Sequence, residues 1–138
     1  MDRLSADRRS ALMRRVRRAD TAPEMVVRRL VYGMGYRYRL HARDLPGRPD
    51  MVFRGRRAVI FVHGCFWHGH SCLRGRPPAS NVDFWAAKLK RNAERDQRVI
   101  SELRKSGWRV LVIWECELKA GDDLQRTIRR FLEQGDEL

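Results

Sequence analysis

Ten residues in the middle of this chain, His63-Gly-Cys65-Phe-Trp-His68-Gly-His70-Ser-Cys72, constrain its fold more than any other stretch. They hold three of its four histidines and two of its three cysteines, directly after the apolar run Ala58–Val62. Five apolar residues in a row read as a strand buried on both faces, so this one is expected at the centre of a sheet. The third thiol, Cys116, follows a second strand-like run, Trp108–Trp114. Thiolate and imidazole together suit zinc, and a structural zinc site is closed by four such ligands. Cys65, His70, Cys72 and Cys116 make that set and would staple the loop to a strand end. An odd number of cysteines argues against a disulfide framework.

The flanking segments fill in the architecture. Residues 5–18 read as a short basic helix, with Ser5 as a candidate N-cap. Thr21-Ala-Pro-Glu24 is a capping box with proline in the first turn, opening a helix with Val27, Leu30, Val31 and Met34 at helical spacing. Tyr36, Tyr38 and Leu40 alternate with Arg37, Arg39 and His41 as in a half-buried strand. After Leu45-Pro-Gly-Arg-Pro49, a strand is expected over Asp50–Phe53, a turn at Gly55 and the central strand over Ala58–Val62. A loop over 63–80 leads to a helix of about 22 to 25 residues, capped by Ser80 or Asn81 and ended by Gly107. A buried strand over Trp108–Trp114 and an amphipathic helix with Leu124, Ile128, Phe131 and Leu132 complete the chain. This order predicts one α/β domain over 1–138, a mixed central sheet flanked by helices. No apolar run approaches the roughly 20 residues of a membrane span, and no export signal opens the chain, so a cytoplasmic protein is expected.

Charge points to the partner. Lys and Arg number 30 against 17 Asp and Glu, a net charge of +13 over 138 residues, and a polyanion is the natural counterpart. The surplus is concentrated in residues 1–18, where seven arginines, Arg14 and Arg15 among them, face two aspartates. Such an arm is expected to be loose before it binds nucleic acid.

The zinc set leaves His63 and His68 over. His63 follows the central strand, so its ring should emerge at that strand's C-terminal edge. Asp50 begins the neighbouring strand of a hairpin and should lie within several ångströms of the same edge. One carboxylate and two imidazoles there, in a basic protein, are the parts for metal-assisted phosphodiester cleavage. Mg²⁺ would neutralise the phosphate, and a histidine could deprotonate water near pH 7. Glu24 is explained by the capping box alone, worth about 1 kcal/mol.

The runs Pro-Gly-Arg-Pro-Asp50, Val-Ile-Phe-Val-His-Gly-Cys-Phe-Trp-His68, Phe84-Trp85, Arg91-Asn-Ala-Glu-Arg-Asp96 and Gly107-Trp-Arg-Val-Leu-Val-Ile-Trp-Glu-Cys116 closely resemble the very short patch repair (Vsr) endonucleases. The likeness runs from about Leu12 to Cys116. It implies a restriction-endonuclease-like fold with a structural zinc, and nicking of one strand 5′ to the thymine of a T:G mismatch left by 5-methylcytosine deamination. By position, Asp50 matches the family's metal-binding aspartate and His68 its proposed general base. His63 and Glu24 match residues that hold the metal's water shell and the phosphate site, which gives Glu24 a role beyond capping. Cys65, His70, Cys72 and Cys116 match the zinc ligands. Val62 stands where some relatives have threonine; the family uses that residue's main-chain carbonyl for Mg²⁺, which valine also offers. Gly69 replaces a histidine found in some relatives, outside both ligand sets.

Phe66 and Trp67 share their polar loop with metal ligands and fit core packing poorly, unlike Trp108 and Trp114 in their buried strand. Apolar wedges can unstack a base step at a few kcal/mol, repaid by a deformed duplex. The resemblance suggests this role for Phe66, Trp67 and Trp85, and places the N-terminal helix in the minor groove near Met13. Lys88 and Asn92, four apart on one helical face, match positions that contact the mismatched pair. A mismatch has no two-fold symmetry and one nick needs one active site, so a monomer is expected, with mismatch-repair proteins as possible partners. Two rival readings remain: a restriction-like or mobile-element nuclease without mismatch specificity, and a zinc-stapled DNA-binding module without catalysis.

Overall fold

The run Ala58–Val62 becomes the centre of a four-stranded sheet in the computed structural model, which describes residues 21–65, 68, 70 and 81–133. The basic segment expected as a helix over 5–18 lies outside those residues. The described elements are α1 (Ala22–Gly33), β1 (Arg39–Leu40), β2 (Met51–Phe53), β3 (Ala58–His63), α2 (Val82–Lys105), β4 (Arg109–Trp114) and α3 (Asp122–Glu133). Strand order is β1-β2-β3-β4, antiparallel except for the β3–β4 pair, which α2 connects as a crossover. The mixed sheet flanked by helices is the expected class.

Alternation along the strands sorts the core onto two faces. Met51, Phe53, Ala58, Ile60 and Ile113 point to one face, where Val27 and Val31 of α1 and Leu124, Ile128 and Leu132 of α3 cover them. Val52, Val59 and Phe61 point to the other, against Leu103 of α2 and Trp108. β3 therefore has helices on both sides, which is why it could only be apolar. β4 lies at a sheet edge among the described residues and is half-buried except for Ile113, less enclosed than its composition suggests.

One local expectation shifts. The alternating segment 36–41 forms a ladder of only two residues. His41 turns into the left-handed region (φ 46°) and ends it, although Tyr36 and Tyr38 still pack inward. The β2–β3 connection keeps the expected turn at Gly55, built as a 3-10 turn over Arg54–Arg56 whose closing residue, Arg57, is left-handed (φ 50°). The helix ends follow sequence more closely. Thr21 Oγ1 accepts the Glu24 amide at 3.4 Å, as a capping threonine should. Asn81 takes the cap position of α2 in a left-handed conformation without a side-chain cap bond, and Gly107 (φ 90°) terminates that helix.

Candidate active site

Three clusters of ligand-type side chains gather where β3 ends. The first joins β2 to α1. Asp50 precedes β2, and the antiparallel register brings it beside the end of β3, where its Oδ2 accepts the Val62 amide at 2.6 Å. Glu24 reaches the same place from the first turn of α1 and is only 3% exposed. Its Oε2 is paired with the guanidinium of Arg28, one turn along the helix, and lies 2.8 Å from His41 Nε2. Candidate ligand atoms of Glu24, His41 and Asp50 all fall within 4.8 Å of one another. Burial pushes the Asp50 carboxyl up to about 8, and Glu24 pushes the same way through a hydrogen bond and its charge; the Val62 amide and Arg28 pull it down. A buried and a half-buried carboxylate side by side are a poor apo arrangement and a good one for a hard divalent cation.

The second cluster is built on His63, the last residue of β3. Its ring lies flat on that of His68, centroids 3.8 Å apart and planes within 2°. His63 is 6% exposed, and its Nδ1 has no hydrogen-bond partner among the described residues. Burial and the neighbouring His68 lower its pKa to about 4, with Asp96 opposing, so it is neutral at pH 7. Asp96 of α2 places Oδ2 at 2.5 Å from His68 Nδ1. A carboxylate accepts from an N–H, which assigns the Nδ1–H tautomer and leaves the His68 Nε2 lone pair available as a base.

Cys65, His70 and Cys116 form the third cluster, again with ligand atoms within 4.8 Å. Cys116 Sγ is 3.6 Å from His70 Nδ1, and the Cys116 amide donates to Cys65 Sγ at 3.4 Å. Two thiols and one imidazole, with an amide already aimed at a sulfur, suit zinc and not a hard cation. Cys72, the fourth expected ligand, lies outside the described residues.

The expected residues Asp50, Val62 and Glu24 thus come together, as do His63 with His68, and Cys65 with His70 and Cys116. Phe66, Trp67, Met13, Arg14 and Arg15 lie outside the described residues. Trp85 sits in the first turn of α2, edge-on to the exposed Phe84, and the Lys88 ammonium is 5.8 Å from the Trp85 ring centroid. Asn92 Oδ1 accepts from Arg95 at 3.3 Å. Four residues escaped sequence reasoning. Arg28 and His41 carried no motif at all. Asp96 could have been found from its spacing, since Lys88, Asn92 and Asp96 recur every four residues on one face of α2. Trp114 was expected in the core. It pairs in register with His63 across β3–β4, touches both His63 and His68 edge-on (5.2 and 6.2 Å) and stacks on His70 (4.2 Å), spanning two clusters.

Fold and site together define an endonuclease class. The catalytic domain of the homing endonuclease I-Bth0305I superposes with a TM-score of 0.56 at 26% identity, covering 81% of this chain and 94% of that domain. Sequence sharpens the assignment. The family model described as DNA mismatch endonuclease Vsr matches residues 1–74. The type II nicking enzyme V.XorIIP of Xanthomonas oryzae pv. oryzae is 52% identical over 132 residues, 96% of this chain and 97% of that protein. The DNA mismatch endonuclease Vsr of Escherichia coli is 47% identical over 116 residues, 84% of this chain and 74% of that protein. The chain belongs to the Vsr family of DNA mismatch endonucleases.

Proposed function

We propose that this protein is a Mg²⁺-dependent, strand-specific endonuclease that hydrolyses the phosphodiester 5′ to the thymine of a T:G mismatch in duplex DNA. The observation that carries the reading is the convergence at one strand end of a carboxylate pair, the buried Glu24 and the half-buried Asp50, with a histidine base, His68, oriented by Asp96. Asp50 and the Val62 carbonyl, with Glu24 beside them, would hold Mg²⁺. When bound, that ion supplies charge neutralisation at the scissile phosphate.

The protein's own groups divide the remaining work. His68 Nε2 takes the proton of the attacking water, while the Asp96 carboxylate fixes the tautomer and stabilises the imidazolium that results. His63, neutral and stacked on His68, keeps that ring in place and offers a polar edge toward the phosphate site. Cys65, His70, Cys72 and Cys116 would hold zinc, which would tie the loop bearing His68 to the end of β4. Phe66, Trp67 and Trp85 supply the wedges, Met13, Arg14 and Arg15 the arm, and Lys88 and Asn92 the contacts at the mismatch. A wobble pair stacks weakly, so the unstacking penalty is lowest there. The net charge of +13 suits DNA. No helix among the described residues is long and apolar enough to cross a membrane; the reading places the protein in the cytoplasm on chromosomal DNA, as a monomer because a mismatch has no two-fold symmetry and one nick needs one active site.

A second reading, a nickase without mismatch dependence, is favoured by the names of several relatives, which are called type II nicking enzymes. A strand-labelled nicking assay separates the two. The substrate is one duplex carrying T:G or matched T:A, with and without Mg²⁺, cut by zinc-loaded wild-type protein or Asp50→Ala. A Mg²⁺-dependent nick 5′ of the mismatched T, absent from T:A and from the variant, supports the first reading. Equal cutting of both duplexes supports the second, and tight binding without cutting leaves only a DNA-binding module.

A further inference from the structure

The capping box explains why a glutamate begins α1, yet it does not explain why its carboxylate is buried. Helix capping and the favourable field at a helix N-terminus are served equally well by an exposed side chain. Glu24 is instead turned inward and held at one atom, Oε2, from two directions: by Arg28 from the next turn of α1, and by His41 from the end of β1. Arg28 Nη2 and His41 Nε2 are themselves 3.3 Å apart. Two groups converging on one oxygen fix both the position and the rotation of a carboxyl group.

His41 also carries a reference to Asp50. Its amide donates to the Asp50 carbonyl at 3.4 Å while its ring reaches Glu24, so a single residue measures one carboxylate against the other. It does so from a left-handed backbone conformation (φ 46°), which is strained for a residue with a side chain. Glycine would take that turn without strain but could not reach Glu24.

From this geometry we infer that Arg28 and His41 are positioning residues, a clamp that sets the Glu24 carboxylate beside Asp50 for the cation the active site uses. The inference rests on the nuclease reading of that site. His41 acts as a holder and not as a third ligand. Its Nε2 is directed at Glu24, and a cation bound there would face the Arg28 guanidinium 3.3 Å away. The charges agree, because Arg28 offsets one of the two carboxylates and so lets them sit together without removing the attraction for a divalent ion.

The test uses zinc-loaded full-length protein bound to a T:G duplex, with Ca²⁺ titrated calorimetrically as a cation probe and nicking measured separately in Mg²⁺. His41→Ala and Arg28→Met should each weaken Ca²⁺ binding and lower kcat on the order of tenfold, with KM for the duplex within about twofold. His41→Gln, whose amide can stand where Nε2 stands, should restore most of both. The clamp is overturned if folded His41→Ala, checked by its Tm, binds Ca²⁺ and turns over like wild type. It is equally overturned if His41→Gln is as defective as His41→Ala. Wild-type protein that binds Ca²⁺ but does not nick DNA would remove the functional reading, while the titrations would still decide the clamp. No Ca²⁺ binding by the wild-type complex removes the clamp whatever the nicking result.

Discussion

Replacing Asp50 by asparagine should make the Mg²⁺-free protein more stable while abolishing its activity. Burial and Glu24 hold the Asp50 carboxyl at about 8 in the folded protein, against an ordinary 3.8. Between those values the folded state binds more protons than the unfolded one, so this group's contribution is full below about pH 4 and is lost as pH rises through about 8. The interval from 3.8 to pH 7, at about 1.4 kcal/mol per pH unit, sets a ceiling of about 4 kcal/mol on the penalty at neutral pH. Asparagine keeps an oxygen to accept the Val62 amide, and its NH₂ can donate to Glu24, so both contacts survive while the charge conflict goes. Urea unfolding of zinc-loaded, Mg²⁺-free protein from pH 5.5 to 8.5 should show Asp50→Asn the more stable at the alkaline end. The gap should widen by up to roughly 3 kcal/mol across that range. Saturating Mg²⁺, which on the proposed function would bind only the folded wild type, should narrow it. A variant equal to or weaker than wild type at pH 8.5, with unchanged m-values, would refute the reasoning.

Three further outcomes are expected. Asp96→Asn should cut kcat by about 10²-fold or more, because an amide can hold His68 in the wrong tautomer, with duplex affinity in a gel-shift assay nearly unchanged. Cys116→Ser should lose bound zinc by elemental analysis and lower the Tm in circular dichroism; full zinc content with an unchanged Tm would remove Cys116 from the ligand set. Gly47→Ala should destabilise by about 1–3 kcal/mol, since Gly47 has φ 72° and a Cβ there would clash with Val99 Cγ1. Adding Val99→Ala should recover part of that loss in urea unfolding, leaving the backbone strain.

Much of the framework was legible because it depends on local pattern. Five apolar residues marked β3 as central, and the turn-rich stretch before Asp50 marked the hairpin that delivers its carboxylate. The crowding of His and Cys marked the loop. What stayed hidden depends on how distant elements meet. His68 and Asp96 are 28 residues apart and meet only because the second core cluster seats α2 against the sheet. His41 read as one more polar residue of an alternating strand, since nothing local announces that the chain turns left-handed there. Trp114 looked like core because tryptophan in an apolar run usually is. Its actual surroundings follow from β4 lying at an edge and from the register that sets it opposite His63. Glu24 shows a different limit: its own position was fully explained by the capping box, and only the family resemblance pointed to a second use of the same side chain.

The parallel pairing of β3 with β4 is what lets one short segment contribute to all three clusters of ligand-type side chains. Val62 gives its amide to Asp50, His63 begins the histidine stack, and Cys65 enters the thiol cluster, all at the C-terminal end of one strand. In a parallel pair the neighbouring strand finishes at the same end, so Trp114 and then Cys116 arrive beside them. Antiparallel β2 completes the convergence by starting there, with Asp50. Such an edge is where α/β sheets leave room for ligands. The arrangement also couples the sites. The Trp114 indole is stacked on His70 and stands edge-on to His63 and His68, so one aromatic ring packs against both the thiol cluster and the histidine stack.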